Sequence, residues 1–169
     1  MEHIIHPIPP LYDAQSRILI LGSFPSVKSR EAQFFYGHPQ NRFWKVLAAV
    51  LGCPVPQTIS EKQAMLHENH IALWDVIASC DIEGSSDSSI KNAVPNDLTP
   101  ILSSADIRQI YCNGATSHRL YQKYIAPQTG RDAIKLPSTS PANAAWQVER
   151  LTGAWKVIME FISQPLHVW

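Results

Sequence analysis

The run Ile18-Leu19-Ile20-Leu21-Gly22 constrains the fold more than any other stretch of the chain. It is short, apolar, rich in β-branched residues and closed by glycine, the pattern of a strand buried on both faces of a parallel sheet. Further runs repeat it. Ile71-Ala72-Leu73-Trp74 closes at Asp75, Ile107 to Asn113 closes at Gly114, and Ala133-Ile134-Lys135-Leu136 closes at Pro137. Helical spacing fills the intervals. Asn41 to Leu51 places Phe43, Val46, Leu47 and Val50 on one face and stops at Gly52. Helices are also expected from Ser60, with Met65 and Leu66 inward, from Asn96-Asp97 through Leu102, from Ala115 to Tyr124, and from about Asn143 to about Ile162. Alternating strands and helices predict an α/β fold, with a parallel sheet covered on both faces and right-handed crossovers. The opening through Pro10 reads as an extended lead-in, Ser23 to Gln40 as a long functional loop, Ser79 to Asn92 as a loop, and Pro165 to Trp169 as a tail.

Composition narrows the function. The chain has 169 residues, a formal net charge of zero and 17% charged residues, which suits one packed domain over residues 1–169 and not a disordered chain. A neutral chain offers no global attraction for nucleic acid, so any such binding must be local. Neither a membrane-spanning apolar run nor a basic-then-apolar signal pattern is visible, and a cytoplasmic, membrane-free protein is expected. Cys53, Cys80 and Cys112 are widely spaced and read as reduced structural thiols. The histidines form no HxH or HExxH spacing, so neither metal nor cofactor is expected.

In a parallel sheet, ligands bind outside the carboxyl ends of the strands. Those ends carry Gly22-Ser23-Phe24-Pro25-Ser26, Asp75, Asn113-Gly114 and Pro137-Ser138-Thr139-Ser140. The first turn lacks a Walker ending and a GxGxxG pattern; it is either a plain turn or a phosphate cradle of serines and amides. Pro137 to Asn143 is either a capping turn or a stiff phosphate-binding loop. Tyr36-Gly37-His38-Pro39-Gln40-Asn41-Arg42-Phe43-Trp44 concentrates polar recognition groups among aromatics. There Asn41 can cap a helix, orient water or pair with a base edge, His38 can exchange protons, Tyr36 can stack, and Arg42 and Lys45 can meet phosphates. Phe43 and Trp44 read as core. Asp75 can cap a turn or accept from a heterocycle N–H. Lys28 has no sign of the dry pocket that a Schiff-base lysine needs.

Three blocks together resemble the uracil-DNA glycosylase superfamily over nearly the whole length, and within it the deoxyinosine (hypoxanthine-DNA) glycosylases. They are Leu19 to Ser26; His38-Pro39-Gln40-Asn41-Arg42-Phe43-Trp44-Lys45, similar to the HPxNRFWK segment of mismatch-specific uracil-DNA glycosylases; and Leu136 to Ala142. Where mismatch enzymes carry a catalytic Asn in a GINPG motif, this chain has Phe24. The resemblance implies a uracil-DNA glycosylase-like three-layer α/β/α sandwich with a central four-stranded parallel sheet. It also implies a monomeric, cofactor-free, monofunctional enzyme acting on DNA with deaminated bases, flipping deoxyinosine from the duplex and leaving an abasic site. Asn41 is then the catalytic group. Phe24, Tyr36, His38, Asp75 and Asn113 surround the base, and Ser23, Pro25, Ser26, Ser138, Ser140 and Asn143 grip phosphates. The alternatives are mismatch-directed uracil removal, a non-catalytic damaged-DNA-binding module, and a small-molecule hydrolase on a flavodoxin-like sheet.

Overall fold

The structure, a computed structural model, describes residues 1–163. In chain order the elements are β1 (Glu2–Ile5), β2 (Ile18–Gly22), α1 (Val27–Ala32), α2 (Phe43–Leu51), α3 (Ile59–Glu68), β3 (Ile71–Asp75), β4 (Ile77–Ile82) and β5 (Lys91–Pro95). They continue with α4 (Thr99–Ser104), β6 (Gln109–Asn113), α5 (Ala115–Tyr124), α6 (Ala126–Thr129), β7 (Ala133–Leu136), α7 (Val148–Trp155) and α8 (Met159–Ile162). The expected tail from Pro165 lies outside the described residues.

The expected four-stranded parallel sheet is present, in the order β3-β2-β6-β7. Alternation along β2 divides the core in two. Ile18 and Ile20 face α2, α3 and α7, where Phe43, Leu47, Leu66 and Trp155 are buried. Leu19 and Leu21 face the other layer, where Ile101 of α4, Leu120 and Tyr121 of α5, and Ile77, Cys80 and Ile82 of β4 are buried. Sheet and flanking layers together make the α/β/α sandwich.

Three loop readings are corrected. A second, antiparallel sheet in the order β1-β4-β5 takes in the start of the lead-in and both ends of the Ser79–Asn92 segment. It escaped the composition because β4 interleaves buried Ile77, Cys80 and Ile82 with Ser79 and Asp81, while β5 is an irregular edge strand ending at Pro95, where a missing N–H is tolerated. Within the Ser23–Gln40 loop, Ser26 caps α1 by accepting from the Ser29 N–H. The last helix starts at Val148, so Asn143 stays in a loop. Among the described residues, no helix is long and apolar enough to cross a membrane.

Candidate active site

A cleft of about 1040 Å³ opens at the carboxyl ends of the parallel strands, a size suited to a small ligand or a single nucleotide. The twelve residues that the resemblance assigns to catalysis, base and phosphates all line it, whereas Arg42 and Lys45 do not. A smaller hollow of about 320 Å³, beside α4 and α6, shares none of its lining residues.

A hydrogen-bonded line crosses the cleft from β6 to α2. Asn113 donates from Nδ2 to Thr139 Oγ1 (3.0 Å), and its Oδ1 accepts from the Thr139 N–H (3.1 Å). The Thr139 hydroxyl, fully buried, donates onward to Asn41 Oδ1 (2.8 Å). That oxygen also accepts from the Phe43 N–H at the start of α2 (3.0 Å). Both bonds fix the amide's orientation, because only the oxygen can accept. Asn41 Nδ2 donates to no group among the described residues and lies in a cleft-lining side chain.

The first turn is built by close approach. A Cβ on Gly22 would lie 2.4 Å from Asp75 Oδ1 and 3.1 Å from the Tyr36 hydroxyl, so only glycine admits both. Tyr36 takes a left-handed backbone, φ 52°, unusual for an aromatic residue. Its ring stacks on Phe43 at 4.0 Å between centroids, so one face is covered. Its hydroxyl is buried without a hydrogen-bond partner. Burial first, and then the charge of Asp75, push that hydroxyl far above the usual phenol range, so it stays a neutral O–H.

Asp75 is nearly inaccessible and is held by a residue the sequence gave no reason to choose. His6 Nε2 lies 2.7 Å from Asp75 Oδ2, and the two side chains are 3% and 6% exposed. His6 Nδ1 accepts from the Ile8 N–H at 3.1 Å. The imidazole is therefore the Nε2–H tautomer, donating to a carboxylate. The segment is tied between the sheets: the His6 N–H donates to Ala78 O, and Leu11 pairs with Leu73 on the edge of β3. Asn96 fixes the turn after β3 by donating to the carbonyls of Asp75 and Ile77.

The remaining candidates are already partly engaged. Phe24 packs its ring near His6, 5.8 Å between centroids, and Pro25 is buried beside it. The Ser26 hydroxyl caps α1. The Ser23 hydroxyl donates to Asp87 Oδ1 (2.9 Å), a carboxylate from the 3-10 turn Asp87–Ser89. His38 Nδ1 accepts from the Gln40 N–H. Ser138 and Ser140 accept from backbone N–H groups within their loop, and Asn143 donates to Ser138 O. Arg42 does not reach outward for phosphate: its guanidinium binds the carbonyls of Thr139, Ser140, Asn143 and Trp146, clamping the same loop. Gly114, at φ 98°, lets Ser138 approach the end of β6. Burial pushes the Cys112 thiol up to about 12, so it is no nucleophile. Among the described residues no three His, Cys, Asp or Glu gather to hold a metal ion.

Comparison with known proteins shows the family. The sequence pattern of the Uracil DNA glycosylase superfamily matches residues 9–161. A protein named Hypoxanthine DNA glycosylase from Methanosarcina acetivorans is 31% identical over 151 residues, 89% of this chain and 94% of the relative. Its namesake from Methanosarcina barkeri is 35% identical over 148 residues, 86% and 92% of the two chains. A solution NMR structure from Methanosarcina acetivorans, titled as a candidate uracil DNA glycosylase, superposes with a TM-score of 0.79 at 30% identity, covering 95% of this chain and 100% of that one. With the parallel sheet, the cleft at its strand ends and the Asn41 block in place, the chain belongs to the uracil DNA glycosylase superfamily.

Proposed function

We propose that this protein is a monofunctional DNA N-glycosylase that hydrolyses the glycosidic bond of deoxyinosine, releasing hypoxanthine and leaving an abasic site. The observation that carries the reading is the Asn113–Thr139–Asn41 line: it presents a fixed amide N–H to a base-sized cleft whose first turn offers only Phe24 where uracil enzymes keep an amide or carboxylate. The names of the two relatives point to the same substrate.

In this reading the nucleotide flips out of the duplex. Its base lies against the uncovered face of Tyr36, and Asp75 and Asn113 meet its edge. Cleavage passes through an oxocarbenium-like sugar, as in glycoside hydrolysis. Hypoxanthine leaves as a stabilised anion, and Asn41 Nδ2–H donates to the charge that develops on it. Because Thr139 and the Phe43 N–H hold that amide in place, little reorganisation is needed at the moment of reaction. The exposed Lys28, paired with Glu31, is left out of the chemistry. Backbone amides of the first turn and of the Pro137–Asn143 loop grip the flanking phosphates.

Single-turnover assays on duplexes carrying one deoxyinosine or one deoxyuridine test this. Release of hypoxanthine is expected; release of uracil alone overturns the substrate. Asn41→Ala is expected to slow release by about 100-fold or more, with a lowered melting temperature but an intact fold, because the Thr139 hydroxyl and the Phe43 N–H lose their acceptor. Unchanged release removes Asn41 from the mechanism. A protein that binds the deoxyinosine duplex and releases nothing is a damage sensor.

A further inference from the structure

Ser23 was expected to grip phosphate, but its hydroxyl proton is given to Asp87. A carboxylate at that turn has the wrong sign for phosphate. It has the right sign for the one positive centre a flipped nucleotide develops, its sugar carbon. We propose that Asp87, delivered by the turn between β4 and β5, is a catalytic residue: its carboxylate faces C1′, stabilises the oxocarbenium-like sugar and takes a proton from the attacking water. This deepens the glycosylase reading and rests on it. It also says where the carboxylate lies that the first turn, with Phe24, does not carry.

The geometry supports the role in three ways. Asp87 lines the same cleft as Asn41 and Asp75, and its carboxyl is held against the first turn by Ser23, on the rim of the strand-end opening that an inserted nucleotide must pass. Ser23 engages Oδ1, while Oδ2 has no partner among the described residues. The contact between the turn and the first loop is doubled by the Val27 N–H donating to Ser85 Oγ, which holds the carboxyl in place. The step balances: water oxygen bonds to C1′, the C1′–N bond breaks with its electron pair on hypoxanthine, and the water proton passes to Asp87.

Surrounding protein and the charge of Asp75 hold the Asp87 carboxyl above the ordinary range, while Ser23 and Arg119 of α5 oppose the rise. Tyr36 and Cys80 also feel its charge, and burial pushes both upward, so they stay neutral. A raised carboxyl is a stronger base once ionised. Release therefore rises with pH through the Asp87 titration. Because His38 also lines the cleft, that limb is assigned by its loss in a variant.

Asp87→Asn is the test. It keeps an oxygen to accept from Ser23 and removes only the charge, so a purely structural role predicts parent-like behaviour. The expected result is slower single-turnover release, by about 100-fold, with the acid limb of the pH profile abolished. A second measurement compares duplexes carrying a cationic pyrrolidine sugar analogue with those carrying a neutral tetrahydrofuran. The parent is expected to prefer the cation and Asp87→Asn to lose that preference. Parent-like release and preference in the variant overturn the proposal. A parent that prefers the cation yet releases no hypoxanthine sinks the substrate assignment and leaves Asp87 facing the sugar. A parent without the preference sinks the role of Asp87, whatever base it releases.

Discussion

Gly22 shows how much of this site depends on a missing atom. Asp75, Tyr36 and the first turn meet over its bare Cα, and a methyl group 2.4 Å from a carboxylate oxygen must displace something. Gly22→Ala is expected to destabilise the protein by about 1–3 kcal/mol and to slow base release by about 100-fold through misplacement of Asp75; melting and single-turnover release measure the two effects separately. The glycine was legible in the sequence as the end of a strand. Its role as a floor was not, because that depends on side chains from two other segments. His6 marks the same limit. It stands among prolines near the start of the sequence, and only the pairing of β1 with β4 brings it to Asp75. Thr139 lies within the Leu136 to Ala142 block, where its neighbours Ser138 and Ser140 carry the same hydroxyl chemistry. Complete burial is what separates it from them.

At the scale of elements, the Pro137–Asn143 loop has no regular structure of its own and takes its shape from two anchors. Trp155 of α7 donates from its indole to Pro137 O (2.9 Å), and Arg42, just before α2, binds carbonyls along the rest. Arg42→Met leaves those carbonyls unpaired. It is expected to cost about 1–3 kcal/mol and to speed hydrogen exchange at the loop amides, with slower base release because Thr139 loses its seat. An unperturbed exchange pattern overturns the clamp. Arg42→Lys is expected to rescue little, since a point charge cannot fork between carbonyls. Elements with strong apolar periodicity were legible: α5 and β7 fall where expected because their buried faces are set locally. The antiparallel sheet was not. Its strands are half-exposed and polar, and pairing rather than composition makes them strands.

For the molecule as a whole, neutrality matters more than shape. The polar lining of the cleft is mostly hydroxyls and amides beside aromatic rings, with Lys135 and His38 as its basic residues and Asp75 and Asp87 as its acids. Few counterions are released when such a surface meets DNA. The affinity for a duplex carrying a neutral abasic analogue should therefore fall gently with salt, with a log–log slope of about −3 or shallower. A steep slope would mean that a basic face outside the cleft carries the binding. One feature of the site also bears on the protein's lifetime. Asn113 is followed by Gly114, the pairing in which a backbone nitrogen most easily attacks the neighbouring amide and converts it to a carboxylate. Both amide atoms of Asn113 are tied to Thr139, and the Gly114 N–H is spent on Leu136 O. The folded state thus shields the residue from ageing by the same loss of an amino group that turns adenine into hypoxanthine.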